Sequence, residues 1–482
     1  MRALQPLPLY EARHALAAHC PRHCRIRHRH HRVHLGYPVV RRARIDRRVV
    51  QPRASCAGLR EAVLTTIEPN AARNIPAGAA LTITGLPPPT CSPRTTMKVI
   101  FTRDFFALIA SIAVVGLGIG ATLPLTALAL TQAGYGSHLV GILTAAQAGG
   151  GIAIVPFAAR ITSRVGARRA IIGAVWITSI ATLAMQLTVN LVAWTVMRAI
   201  AGAALMLLFT ITEAWVNQLA DDRSRGRIVA IYATHFTLFQ MAGPMLVSVI
   251  ADYPAWRFAL CGAIFLLALP GLWAMRITRA ASPTGDGSHD AWRTVLPRMP
   301  ALVIGAGFFA LFDTLALSLL PLFAIHHGVA LELAIAFGSA ILLGDTACAF
   351  ALGWLADHFG RARVHLGAAL VVALLLPTLP AIAALPWLRW PVLILLGAAA
   401  GGIYTLSLTA IGERFRGPAL VTASSLIGAS WSVASFFGPM IAGALMHTAG
   451  PDALIGVLFA GVVVFICAHL WEQRTARAMT QG

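Results

Sequence analysis

From Phe105 to Leu470 the chain repeats one pattern: a long apolar run, a short polar break, then another apolar run. The runs are continuous and do not alternate, so they read as helices and not as barrel strands. Each is about 20 residues, enough to cross about 30 Å of hydrocarbon as a helix. Lipid offers the backbone no hydrogen bonds, so a spanning run must satisfy itself as a helix. Twelve spans are predicted, at residues 104–132, 138–160, 169–188, 191–218, 226–250, 256–276, 300–325, 331–356, 363–385, 390–411, 418–446 and 452–472. Six precede and six follow a polar stretch that contains Ser282-Pro283-Thr284-Gly285-Asp286-Gly287-Ser288-His289-Asp290. Such a stretch reads as a linker. The expectation is an all-α membrane protein, with one six-helix bundle at 97–278, a linker loop at 279–299 and a second bundle at 300–482.

Three landmarks repeat at nearly one interval. Gly166 and Gly360 close similar turns 194 residues apart (360 − 166). Gly243-Pro244 and Gly438-Pro439 are 195 apart (439 − 244), and Leu123-Pro124-Leu125 and Leu320-Pro321-Leu322 are 197 apart (321 − 124). A common offset across half the chain indicates a duplicated bundle. Secondary transporters are built this way, with the substrate site between the halves.

Charge then orients the spans. Of 22 basic residues from 97 onward, 19 lie on one set of helix ends, among them Arg160, Arg164, Arg168, Arg169, Arg361, Arg363, Arg414 and Arg416. Only Arg257 and Arg389 lie on the other set, and Arg198 is inside a span. The positive-inside rule puts the Arg-rich set, and both ends of the helical bundle, in the cytoplasm. The expected location is a bacterial inner membrane, multi-pass. Composition agrees: 57% hydrophobic residues and 12% charged is too apolar for a soluble chain of this size. The net charge of +20 divides into +12 from residues 1–96 and +8 from the rest. It is therefore no sign of nucleic-acid binding, and nucleic acid is not an expected partner.

Residues 1–96 carry His19-Cys20-Pro21-Arg22-His23-Cys24 and other basic clusters, with no Met between Met1 and Met97. Three readings stand: translation that begins at Met97, a disordered basic leader that touches anionic lipid or RNA, and a zinc site from His19, Cys20, His23 and Cys24. The last has suitable ligands at a spacing unlike ordinary fingers. The span cysteines Cys261, Cys348 and Cys467 read as packing residues.

Gly353-Trp354-Leu355-Ala356-Asp357-His358-Phe359-Gly360-Arg361-Ala362-Arg363 resembles the signature loop of the major facilitator superfamily. The resemblance covers residues 97–482. The first copy, Ala159 to Arg169, departs from the pattern at Ala159, Ser163 and Ala167. In that family the loop aspartate helps latch the outward-facing state, so the resemblance assigns a conformational role to Gly166, Arg164, Arg168, Gly353, Asp357, Gly360, Arg361 and Arg363, with the latch weakened at Ser163. Arg198-Ala199-Ile200-Ala201-Gly202 is similar to the family's Arg-x-x-x-Gly motif, and Gly243-Pro244, repeated as Gly438-Pro439, to the core of its antiporter-type motif. Glu213-Ala214-Trp215-Val216-Asn217, with Arg225-Gly226-Arg227 and Tyr232, looks like the YcaD-like branch of bacterial permeases.

Polar groups inside spans are the candidate chemistry, because lipid makes them expensive. Arg198 reads as a cation for substrate or for tuning an acid, or as an anchor on helix carbonyls. Asp313 and Asp345 lie mid-span. Burial disfavours the charged form of a carboxylate, as a proton carrier working near neutral pH requires. The alternative is a carboxylate satisfied at a seam. Gln147 and His235 complete the polar set. Glu213 and Asn217 share a helix face and read as a gate or interhelical tie. Trp215, Tyr404 and Trp431 either line a cavity or pack. The Gly149-Gly150-Gly151 run and Gly401-Gly402 allow close helix approach.

The resulting reading is a monomeric secondary transporter of a small molecule, probing both sides by alternating access and coupled to protons, with export favoured on the Gly-Pro motif. An importer and a non-transporting sensor or scaffold are the alternatives. No cofactor, metal site or enzymatic constellation is expected, since no nucleophile–base pair or phosphate loop is present.

Overall fold

In a computed structural model, residues 103–219, 225–250, 252–274 and 291–481 are described. The expectations placed on residues 1–96 and on most of the linker lie outside them.

Among the described residues, twelve helices are long and apolar enough to cross a membrane. They are α1 (Arg103–Gln132), α2 (Ser137–Val165), α3 (Ala167–Ala184), α4 (Leu191–Leu219), α5 (Arg225–Ile250), α6 (Arg257–Leu266, resuming at Leu269–Ala274), α7 (Pro300–Ser318, resuming at Leu320–His326), α8 (Leu331–Phe359), α9 (Arg361–Leu375, resuming at Leu379–Ala383), α10 (Arg389–Arg414), α11 (Gly417–Ala449) and α12 (Ala453–Gln481). The three interruptions fall at prolines. Pro270, Pro321 and Pro377 lack an N–H and crowd the carbonyl four residues back, so the preceding helices stop at Leu266, Ser318 and Leu375. Pro124, Pro156, Pro244 and Pro439 remain inside unbroken helices.

The signature turns are tighter than the sequence spacing suggests. One glycine separates α2 from α3 and one separates α8 from α9. Gly166 has φ +87° and Gly360 has φ +88°, a left-handed backbone that only glycine adopts without strain. Each caps the helix before it, Gly166 N–H donating to Thr162 O and Gly360 N–H to Ala356 O, both at 3.0 Å. The duplication is thus visible as one turn made twice.

Between membrane helices there is little hydrophobic gain, so close packing of small residues holds them together. Within the first bundle α2 crosses α4 where Gly150 lies against the Ala199 carbonyl and Gly202 against the Gln147 carbonyl. Within the second, α8 crosses α10 where Gly344 lies against the Ile394 carbonyl and Gly397 against the Ile341 carbonyl. These are the same four positions shifted by 194 to 195 residues (344 − 150, 397 − 202). A side chain at any of the four would overlap backbone.

The two bundles meet mainly through α2 with α11 and α5 with α8. Their joint lies at the end away from Gly166 and Gly360. There the apolar core runs unbroken across both, through Leu125, Leu130, Val140 and Val247 to Leu320 and Phe323. Ser137 Oγ donates to Gly443 O at 3.0 Å and Ser339 Oγ to Met241 O at 2.7 Å across the joint. At the Gly166/Gly360 end the cores separate: Leu108, Ile171, Leu208 and Tyr232 belong to one bundle, Met299, Leu302, Ile411 and Phe415 to the other. The bundles are closed at the Arg-poor end and parted at the Arg-rich end.

Candidate functional site

The parting leaves α4 and α10 on opposite walls. Glu213 of α4 keeps open surface, and Tyr232 of α5 and Tyr404 of α10 are both within its electrostatic reach. It therefore faces the space between the bundles. Tyr232 itself is tied to α4 through Thr212, 3.2 Å between the two hydroxyls.

Deeper in, five helices bring together what the sequence left apart. Gln240 of α5, from the other bundle, comes within electrostatic reach of the Asp313 carboxylate on α7. Asp345 of α8 stands close enough to Asp313 for the two carboxylates to repel when both are ionised. The Asp345 carboxyl rests on α10 at Gly401, where any side chain would collide with it. Tyr404, one turn along α10, is within reach of Asp345. Four residues before Asp313 on α7, Phe309 stacks on Tyr404 with ring centroids 5.2 Å apart. Trp431 of α11 meets both edge-on, at 5.7 and 5.2 Å. Tyr404 and Trp431 stay half-buried, so an aromatic cluster adjoins the acid pair. Trp215, grouped with them by sequence, instead packs in the first bundle's core.

Arg198 and Gln147 belong to the α2–α4 crossing, where the Gln147 backbone packs against Gly202, one turn along α4 from Arg198. Arg198 is 3% exposed, and its Nε and Nη2 have no hydrogen-bond partner among the described residues. No described carboxylate pairs with it. The Gln147 Oε1 is likewise buried without a partner, although the Gln147 side chain keeps some open surface. His235 stands apart from both groups, its Nδ1 2.9 Å from the Ile231 carbonyl one turn back on its own helix. The Asn217 side chain lies outside the described residues.

The loop residues are tied inside their own bundles. Arg361 lies 3.4 Å from Asp357 and pairs with Glu413 of α10. Arg414 pairs with Glu472 of α12, whose Oε2 also accepts the Ala301 N–H of α7 at 3.1 Å. In the first bundle Arg168 Nη2 donates to the Trp273 carbonyl of α6 at 2.6 Å, while Ser163 turns back to Arg160 O. Arg164 and Arg363 are exposed, and a side chain at Gly353 would meet open space. Gly243 lies against the α1 backbone at Gly120 and Ala121. Gly438 faces Leu311 of α7, and the Pro439 carbonyl contacts Gly141 across the bundle joint. Glu413 and Glu472 escaped the sequence reading because their partners lie on other helices. No cluster of three metal-ligating side chains exists among the described residues.

Two repeated bundles joined at one end, with ionisable groups on the facing helices, make a secondary transporter. The family model of the Major Facilitator Superfamily matches residues 106–351 and 302–479. The chain belongs to this superfamily. It is 23% identical over 351 residues to the MFS-type transporter YfkF of Bacillus subtilis, covering 71% of this chain and 89% of that one. It is 24% identical over 370 residues to YcaD of Salmonella typhi, covering 75% and 94%, which places it with the YcaD-like branch. Among solved structures, the nucleoside transporter NupG superposes with TM-score 0.63 at 13% identity, covering 77% of this chain and 99% of that one. A bacterial homologue of the lysosomal transporter Spinster, inward-facing and unoccupied, superposes with TM-score 0.62 at 16% identity, covering 78% and 97%. At such identities the likeness is one of fold.

Proposed function

We propose that the chain is a proton-coupled carrier that works as a monomer in a bacterial inner membrane and exports a small molecule by alternating access. Both ends of the helical bundle lie in the cytoplasm, on the reading that the Arg-rich ends do. The parted conformation then faces inward.

The observation that carries the coupling is the Asp313–Asp345 pair. Two carboxylates within repelling distance favour sharing a proton over standing doubly charged in a low dielectric. Gln240 reaches Asp313 from the opposite bundle, so the protonation state of the pair bears on a contact that the rocking motion must break. A ligand or proton moves a two-state equilibrium only through such differential contacts. Arg361, Asp357 and Glu413, tied within the second bundle in this state, are the groups free to re-pair when the Arg-rich ends approach.

A screen of metabolites, sugars, organic ions and drugs by thermal shift at pH 6 and pH 8 supplies a transported probe. Its movement into proteoliposomes is then driven by a pH gradient. Asp313→Asn should bind the probe and lose gradient-driven accumulation. Full accumulation by that variant overturns the proton-carrier role.

A further inference from the structure

The duplicated fold contains its own control. The crossing of α2 on α4 is repeated by α8 on α10, glycine for glycine, yet the residues around it differ. Arg198 corresponds to Leu393 (198 + 195) and Gln147 to Ile341 (147 + 194). Leu393 and Ile341 are buried apolar residues, 0% and 2% exposed. The crossing is therefore built equally well without polar groups, and packing does not require a guanidinium at 198.

An arginine kept there must be matched by something, because an unpaired buried charge is strongly destabilising. No described carboxylate pairs with it, and Glu213 is 15 residues along the same helix (213 − 198), about 22 Å away. The two unpartnered nitrogens, Nε and Nη2, lie on one edge of the guanidinium. Their N–H bonds point the same way, as a fork that fits the two oxygens of a carboxylate. The Gln147 backbone packs against Gly202, one helical turn along α4 from Arg198, and the Gln147 side-chain amide oxygen is unpartnered.

We propose that Arg198 and Gln147 form the anchor for a carboxylate group on the transported molecule, with Arg198 gripping both oxygens side-on and Gln147 contacting the adjoining polar atoms. This rests on the transporter reading and names its substrate class: a small organic carboxylate. The anchor lies in the first bundle and the acid pair in the second, so substrate and proton are held by different halves.

The test uses the full chain, purified in detergent without a gradient. Its melting temperature is measured with a panel of mono- and dicarboxylates, each beside its neutral amide (benzoate with benzamide, nicotinate with nicotinamide, succinate with succinamide), and with uridine and inorganic phosphate. Carboxylates should raise the melting temperature where their amides do not. Arg198→Gln should weaken the responding carboxylate about 100-fold, the loss of two charge-assisted hydrogen bonds, and Arg198→Lys should weaken it less. Equal shifts from acids and amides, or a response to uridine or phosphate alone, overturn the proposal. Arg198→Leu, which installs the residue of the other half, should fold with an unchanged or higher melting temperature when no ligand is present. A marked fall would instead make Arg198 a structural anchor. Carboxylate binding that survives in Asp313→Asn separates the two readings, since proton coupling can fail while the anchor stands.

Discussion

Glycine at position 344 sets how closely α8 and α10 approach, and alanine there measures the contact. A Cβ on Gly344 falls inside the contact distance of the Ile394 carbonyl and 2.9 Å from the Ala398 nitrogen. Both obstacles are backbone, so no side chain can swing aside. The helices must separate, and overpacking of this kind costs about 1–3 kcal/mol. Gly367 of α9 is the matched control, since a Cβ there meets nothing within 4 Å. In open space, glycine to alanine inside a helix gains about 0.5–1 kcal/mol from reduced backbone freedom. One atom added at each site should thus move stability in opposite directions, by about 3 kcal/mol between them. Denaturant unfolding in micelles, read by tryptophan fluorescence, resolves that difference. Gly150→Ala, the same change in the first bundle, shares no contact with Gly344, so the two losses should add. If Gly344→Ala were as stable as Gly367→Ala, glycine would not be what brings the helices together.

Arg361 and Glu413 have 37% and 56% of their side-chain surface exposed, so a double-mutant cycle should give a coupling below about 1 kcal/mol that shrinks with added salt; a salt-independent coupling above that range contradicts the exposed geometry. Asp313→Asn should keep the wild-type melting temperature and lose pH-gradient-driven transport of the screened probe; accumulation at the wild-type level argues against a proton on Asp313. Gly141→Val should hold the Arg-poor end open, because a side chain at 141 strikes the Pro439 carbonyl. In a cysteine-free background, Leu317→Cys, at a site packed between Leu123 of α1 and Leu342 of α8, should then react with an impermeant thiol reagent; protection equal to that of the Gly141 protein would show that the joint closes regardless.

Hydropathy and the repeat offsets made the helix count, the pairing of halves and both signature turns legible in the sequence. The turn length was overestimated, since nothing in the spacing says that α2 continues to Val165 and α8 to Phe359. The site was legible only as separate residues. Asp313, Asp345 and Arg198 stood out because each is a polar group in an apolar run. That Gln240 reaches Asp313 across 73 positions (313 − 240), or that Phe309 and Trp431 close on Tyr404, was hidden. Lipid and helix interior are equally apolar, so periodicity does not reveal which face of a membrane helix looks inward. The Gly401 signal showed only part of its role for the same reason: it makes room for a carboxylate as well as for a helix.

That small gap at Gly401 bears on how the two halves came to differ. Asp345 corresponds to Gly151 (345 − 194), and Gly401 to Met206 (401 − 195). In the first bundle Gly151 yields space to Met206, 3.3 Å from where its own Cβ would stand; in the second, Gly401 yields the same space to Asp345. An aspartate at 151 would crowd Met206, and a methionine at 401 would strike Asp345. Neither half can acquire the other's arrangement by one substitution, because two positions differ and the larger residue must leave before its counterpart comes in. After duplication, passage from one arrangement to the other takes at least two substitutions in a set order, and the acid on a single side is held in place by that steric barrier between sequences.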